Sequence, residues 1–263
     1  MTRRPLWTGL AAGSIALAAL AVGLIGAGLL AGGALAAPPP GEGWTSLFNG
    51  KDLAGWKAPE GDGGHWKVVE GVIDYDAQSE AKGDKNLKTE KEFGDYLLHI
   101  EWRLKKTTGL YAMPTILPDG SYKTDAQGKV IKTPTPNADS GIFVRGTGKS
   151  QINIWCWPCG SGEIWGYRLD EKQPPEVRAA CVPKVRADRP VGEWNTFVIT
   201  VKGETVNVVL NGQPVIVDAK LPGLGAKGPI ALQHHGGVKQ PGGELSPASS
   251  LIQFRNIYIK ELK

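Results

Sequence analysis

The sequence predicts an all-β protein built as a sandwich, on three observations. From Gly41 onward the apolar residues recur with a period of two rather than 3.6. The runs that carry this period are rich in Val, Ile, Thr and aromatic residues, and clusters of Gly, Pro, Asn and Asp separate them. Long amphipathic helical patterns are missing, and many strands with few helices imply two stacked sheets or a barrel.

The first element lies before the strands. Arg3 and Arg4 precede an uncharged apolar stretch from Gly9 to Ala37, closed by the small-residue pattern Ala34-Leu35-Ala36 and broken by Pro38-Pro39-Pro40. Residues 1–36 therefore read as an export signal, or as an N-terminal membrane anchor if uncleaved, since the run is long enough to span a bilayer. Thr2-Arg3-Arg4-Pro5-Leu6-Trp7 also loosely resembles a twin-arginine signal. Residues 37–43 are a linker and 44–263 one domain, expected outside the cytoplasm, either periplasmic or extracellular. Of the 263 residues, enough remain to bury a large core without staples. The formal net charge is only +4, and Arg3 and Arg4 leave with the signal, so a nucleic-acid footprint is excluded. Membrane contact is expected only through the N-terminal segment.

The strand candidates follow in order: Trp44–Phe48, His65–Glu70, Val72–Tyr75, Asn86–Thr89, Asp95–Leu104, Ser140–Arg145, Gln151–Cys156, Trp194–Lys202, Thr205–Asn211, Gln213–Asp218, Pro229–His235 and Leu251–Lys260. Asn211-Gly212 between two apolar runs is a two-residue hairpin signal, because a type I′ turn needs positive φ at both central positions. Lys105–Asn137, rich in Pro, Gly, Thr and Lys, reads as a long excursion that could lid a site, and Glu171–Asp188 as a second loop. Cys156, Cys159 and Cys181 leave no second Cys pair for a four-ligand zinc site, nor the βαβ context of a redox motif. One disulfide or buried thiols is the plainer reading.

Alternation then assigns faces. Leu98, Ile100, Trp102 and Leu104 point to the core and leave His99, Glu101 and Arg103 outward. The same parity sends Arg145, Gln151, Asn153, Trp155, Gln233, His235, Gln253 and Arg255 outward, with a bulge near Asn256 returning Ile257 and Ile259 to the core. His234, with the parity of Leu232, faces the core or an adjacent loop. Glu163 and Arg168 flank a short Ile164–Tyr167 segment and form either a salt-bridged edge or a rim. If the strands neighbour one another, one sheet face carries Glu101, Arg145, Gln151, Asn153, Trp155, Gln233, His235 and Arg255. Planar amides, guanidinium groups and an indole suit sugar hydroxyls and sugar rings, so a carbohydrate is the expected partner. A satisfied polar network under a covering loop is the alternative. No cofactor is expected. A divalent cation would draw on Asp52, Asp74, Asp76 and Asp139, although no loop shows an ordered ligand spacing.

Six ordered segments carry a resemblance. They are Trp44-Thr45-Ser46-Leu47-Phe48-Asn49-Gly50-Lys51-Asp52-Leu53-Ala54-Gly55-Trp56, Asn137-Ala138-Asp139-Ser140-Gly141-Ile142-Phe143-Val144-Arg145, Gly192-Glu193-Trp194-Asn195, Leu210-Asn211-Gly212, Ile230-Ala231-Leu232-Gln233-His234-His235-Gly236 and Phe254-Arg255-Asn256-Ile257. Over nearly the whole of 44–263 the chain resembles the 3-keto-disaccharide hydrolase domain proteins. The resemblance implies a concanavalin-like two-sheet jelly roll with a sugar-binding face, and Arg145, Gln151, Gln233, His235 and Arg255 occupy matching positions. One departure is that family members often carry an acidic residue just before the Gln, where Lys149-Ser150 precede Gln151 here. The implied chemistry is cleavage of a glycoside bearing a C3 ketone, by elimination and hydration, and the alternative is a non-catalytic carbohydrate-binding module. His235 is then the expected base, Arg145 the cation facing the enolate oxygen, and Glu101 the group that orients His235 or acts as acid. Gln151, Asn153, Trp155, Gln233 and Arg255 would hold the sugar.

Overall fold

The computed structural model describes residue 39 and residues 41–146, 148–236 and 250–263. The predicted signal and part of the linker lie outside the described residues. Among those described, no helix is long and apolar enough to cross a membrane.

In chain order the strands are β1 (Thr45–Ser46), β2 (Trp56–Lys57), β3 (Lys67–Val69), β4 (Val72–Asp76), β5 (Leu87–Thr89), β6 (Tyr96–Leu104), β7 (Leu110–Pro114), β8 (Lys132–Pro136), β9 (Asp139–Phe143) and β10 (Gln151–Trp155). Two short helices, α1 (Trp165–Leu169) and α2 (Pro175–Ala180), come next. β11 (Asn195–Lys202), β12 (Thr205–Leu210), β13 (Gln213–Lys220), β14 (Ala231–Leu232) and β15 (Leu251–Glu261) complete the chain. The larger sheet runs β13-β12-β11-β6-β15-β4-β3, with β1 also on β15; the smaller runs β10-β9-β14-β5-β2. The architecture is the expected two-sheet, concanavalin-like jelly-roll sandwich.

The alternation read from the sequence is the alternation of burial. Along β6 the even positions Leu98, Ile100, Trp102 and Leu104 are buried, while His99, Glu101 and Arg103 are half-buried on the outer face. Facing them across one continuous core are Ile142 of β9, Ile152 and Ile154 of β10, and Leu232 of β14. Asn211 and Gly212 take φ values of 51° and 82° between paired Leu210 and Gln213, the primed turn their residue types require. The register of β15 against β6 shifts between Arg255 and Tyr258, with Asn256 at φ 49°, and Ile257 and Ile259 return to the core.

Two stretches expected as loops carry structure. Lys105–Asn137 contains the hairpin β7–β8, a two-stranded ribbon outside both sheets, in which Pro114, Pro134 and Pro136 are tolerated because a ribbon has free edges. Glu171–Asp188 contains α2, which opens with Pro175 in the first turn, where a missing N–H is no loss. The three cysteines are free: Cys156 and Cys181 are buried and Cys159 half-buried. Burial pushes their thiols up to about 11 for Cys156 and about 12 for the other two.

Candidate functional site

The topology divides the expected polar face in two. Glu101 on β6 and Arg255 on β15 belong to the larger sheet, whereas Gln151, Asn153, Trp155, Gln233 and His235 belong to, or directly follow, strands of the smaller one. Outward from the first sheet and outward from the second are opposite sides of a sandwich, so the eight residues do not share a face. Parity along a strand says which side of its own sheet a residue faces; it does not say which sheet the strand joins.

On the larger sheet the polar residues satisfy one another. Glu101 lies directly opposite Arg255, whose Nε donates to Oε2 at 2.7 Å. The Arg255 and Arg103 guanidiniums lie over the Trp194 ring at 4.0 and 4.7 Å. Arg103 donates to Gln253 (2.7 Å), Gln253 to Asp74 (2.7 Å), and Lys105 also reaches Asp74 (2.9 Å). This is a cross-strand ladder, the satisfied-network alternative, and it leaves Glu101 and Arg255 apart from the polar residues of the smaller sheet.

Arg145 leaves the site for a different reason. It follows β9 with φ 53°, a left-handed turn that carries its side chain away from the sheet face. Its Nε donates to the Gly94 carbonyl (2.8 Å), Nη1 to those of Gly203 (2.7 Å) and Gly225 (3.1 Å), and Nη2 to Asp95 (2.5 Å). With four of its five N–H groups engaged and its side chain 1% exposed, the guanidinium ties loops together and lies out of reach of an enolate.

The smaller sheet carries a lined cavity. A cavity of about 310 Å³ is lined by Asp139, Gln151, Asn153, Trp155, Gln233 and His235 from the sheet, and by Tyr111, Met113, Trp157 and Trp165 from the β7–β8 ribbon and the segment leading into α1. Gln151 Nε2 donates to Asn153 Oδ1 (2.5 Å) and to Gln233 Oε1 (2.6 Å). Its side chain lies across Gly141, where a Cβ would sit 2.7 Å from Nε2 and 2.8 Å from Cγ, so only glycine fits there. Asn153 in turn donates to Glu163 Oε2 (3.1 Å). Glu163 is fully buried and pairs with Arg168, which also reaches the Gly120 carbonyl and Tyr122 (both 3.3 Å). Glu163 and Arg168 are thus neither edge nor rim: they form a buried ion pair behind the site, holding the amide row in place.

Asp139, weighed in the sequence only as a cation ligand, is the acidic group of the cavity. It opens β9 opposite Trp155, and its Oδ2 lies 3.9 Å from His235 Nε2. Its Oδ1 is buried without a partner among the described residues. Burial pushes its carboxyl up to about 7, with the His235 charge pulling the other way. Ser250 sets the spacing of the pair: its Oγ accepts the backbone N–H of His235 (2.6 Å) and donates to the Asp139 carbonyl (2.9 Å). His235 keeps 40% of its side chain exposed against 12% for Asp139, so His235 is the member that a ligand reaches. The inward parity of Ile142 puts Asp139 outward as well, a signal the residues contained. His234 turns instead to the adjacent loop, bonded to Tyr75 and to the Gly236 carbonyl (2.9 Å).

Aromatic rings wall the cavity. Trp155 and Trp157 stack at 3.8 Å and 9°, and Trp155 Nε1 donates to the Gly160 carbonyl (2.7 Å) while the buried Trp157 Nε1 has no acceptor among the described residues. Tyr111 and Trp165 are among the few large apolar side chains left exposed, at 42% and 43%. The remaining cation candidates are dispersed: Asp52 bonds Asn49, Asp74 serves the ladder, and Asp76 pairs with His65 and Lys67. Among the described residues no group of three His, Cys, Asp or Glu is placed to hold a metal ion.

No curated protein sequence matches the chain significantly. Among solved structures it is similar to two proteins from Parabacteroides distasonis ATCC 8503, each described as a candidate glycosyl hydrolase. One is 25% identical with a TM-score of 0.49, covering 84% of each chain. The other is 20% identical with a TM-score of 0.49, covering 84% of this chain and 95% of its own. It is also similar to the carbohydrate-binding module CBM66 from Bacillus subtilis (13% identity, TM-score 0.39, 79% and 96% covered). At the level of sequence families, residues 43–260 match the 3-keto-alpha-glucoside-1,2-lyase-like domain, and the chain belongs to that family.

Proposed function

We propose that this protein acts outside the cytoplasm to cleave 3-keto glycosides or disaccharides by elimination and hydration, with His235 as base and Asp139 as its carboxylate partner. The observation that carries the proposal is the pairing itself: a reachable imidazole beside a buried carboxyl in an aromatic-walled cavity of a family member.

A C3 ketone acidifies the proton on C2. The imidazole of His235 takes that proton, and the electron pair moves into an enolate with its charge on O3. Asp139, ionised, stabilises the imidazolium that forms. Gln233 already commits Oε1 to Gln151, so its amide N–H is the donor left for the enolate oxygen, the role first expected of Arg145. Collapse of the enolate re-forms the C3 carbonyl, creates a C1–C2 double bond and breaks the C1–O bond. The leaving oxygen recovers the proton from His235, and water then adds to C1 as C2 is reprotonated, a net hydrolysis. The Trp155–Trp157 stack, Tyr111 and Trp165 offer faces to sugar rings.

Incubating the protein with 3-keto-trehalose or a 3-keto glucoside tests this reading, following release of the free 3-keto sugar with and without a chelator. Release that disappears in His235→Gln supports it. Saturable sugar binding without release makes the protein a carbohydrate-binding module instead, and full turnover in His235→Gln removes the assigned base.

A further inference from the structure

A second cavity, also of about 310 Å³, shares Trp155 as a wall with the first but none of its other residues. Buried Trp102 and Leu104 line it from within, and exposed Arg186, Arg189 and Val191 line it from the solvent side. Three features mark it as more than a gap between loops. The Trp102 indole N–H is buried with no acceptor among the described residues, in a side chain only 1% exposed, and a buried donor is ordinarily paired. Arg186 makes no hydrogen bond or ion pair among the described residues, and Arg189 donates Nη1 to the Trp194 carbonyl (3.0 Å), which leaves the rest of its fork. The one acidic lining residue, Asp188, accepts the Ser161 N–H with both carboxylate oxygens, at 3.2 and 3.0 Å, and the two arginines outnumber its single charge.

We propose that this cavity is a separate binding site for a small organic carboxylate of the sugar-acid class. Arg186 and Arg189 take the carboxylate, a form of recognition for which guanidinium is suited. A hydroxyl oxygen accepts the Trp102 N–H, and the carbon skeleton lies against Leu104, Trp155 and Val191. Those apolar walls favour an organic anion over inorganic phosphate, which would shed its water against surfaces that offer nothing in return. The site does not depend on turnover at the neighbouring cavity.

Titration of the protein at low salt with glucuronate, glucose and inorganic phosphate tests the proposal, read by calorimetry. The expected result is saturable glucuronate binding at least tenfold tighter than that of glucose or phosphate. Arg186→Gln should weaken it at least tenfold without changing turnover of a 3-keto glucoside, and Trp165→Ala should leave it intact. No saturable binding, phosphate binding as tight as glucuronate, or indifference to Arg186→Gln would each overturn the assignment. Loss of glucuronate binding in Trp165→Ala would place the ligand in the first cavity and overturn it equally.

Discussion

Replacing Asp139 with Asn should make the protein less active, and more stable above neutral pH but not in acid. Burial holds the carboxyl at about 7, against an ordinary value of 3.8. The folded state therefore binds this proton more tightly than the unfolded chain, so stability is highest where both are protonated and falls as pH rises from about 4 to about 7. Roughly three pH units correspond to about 4 kcal/mol. Asn carries no charge at any pH, although its added N–H₂ lacks a designed partner, a cost of about 1–2 kcal/mol. Asp139→Asn should then be equal to or slightly less stable than the wild type at pH 4.5 and more stable at pH 8. A swing of about 3 kcal/mol shows as a change of roughly 6–12 °C in the difference between the two Tm values. Thermal unfolding of both proteins at the two pH values measures it. A Tm difference that does not change with pH, or one that moves in favour of the wild type at pH 8, refutes the buried-charge argument. Turnover of a 3-keto glucoside at pH 7.5 should fall by about two orders of magnitude in the same variant, the scale of a positioned acid–base group. In the wild type, activity should rise through about pH 7 as Asp139 ionises.

Other expectations rest on separate contacts. Arg145→Ala should cost about 3 kcal/mol by removing four hydrogen bonds that tie loops together, measured by denaturant unfolding, while kcat of the folded protein stays within about threefold. Glu101→Gln should leave kcat/KM within about twofold and stability within about 1 kcal/mol, because its partner Arg255 is partly exposed on the opposite side of the sandwich. Glu163→Gln should cost about 3–5 kcal/mol by stranding the Arg168 guanidinium in the interior, and the double variant Glu163→Leu, Arg168→Met should recover much of that loss in the same unfolding assay. Native protein should resist iodoacetamide at pH 8, since all three thiols titrate well above that pH, and should label fully in guanidinium as followed by mass spectrometry.

What the sequence determined by itself is what alternation and turn chemistry can express. Leu98, Ile100, Trp102 and Leu104 had to face the core because a period of two leaves no other arrangement, and Asn211-Gly212 had to turn because few other pairs accept positive φ twice. The amide row of Gln151, Asn153 and Gln233, with His235 beside it, was legible for the same reason. Only the tertiary structure decided the rest. Whether Glu101 and Arg255 joined that row depended on which sheet β6 and β15 entered, a matter of pairing between strands far apart in the chain. Arg145 was lost to the site through one left-handed residue after β9, and Trp157, Trp165 and Tyr111 were gained from segments with no periodicity to read. Asp139 acquired its raised affinity for a proton from burial alone, and burial is a property of the packed molecule that no single stretch of chain encodes.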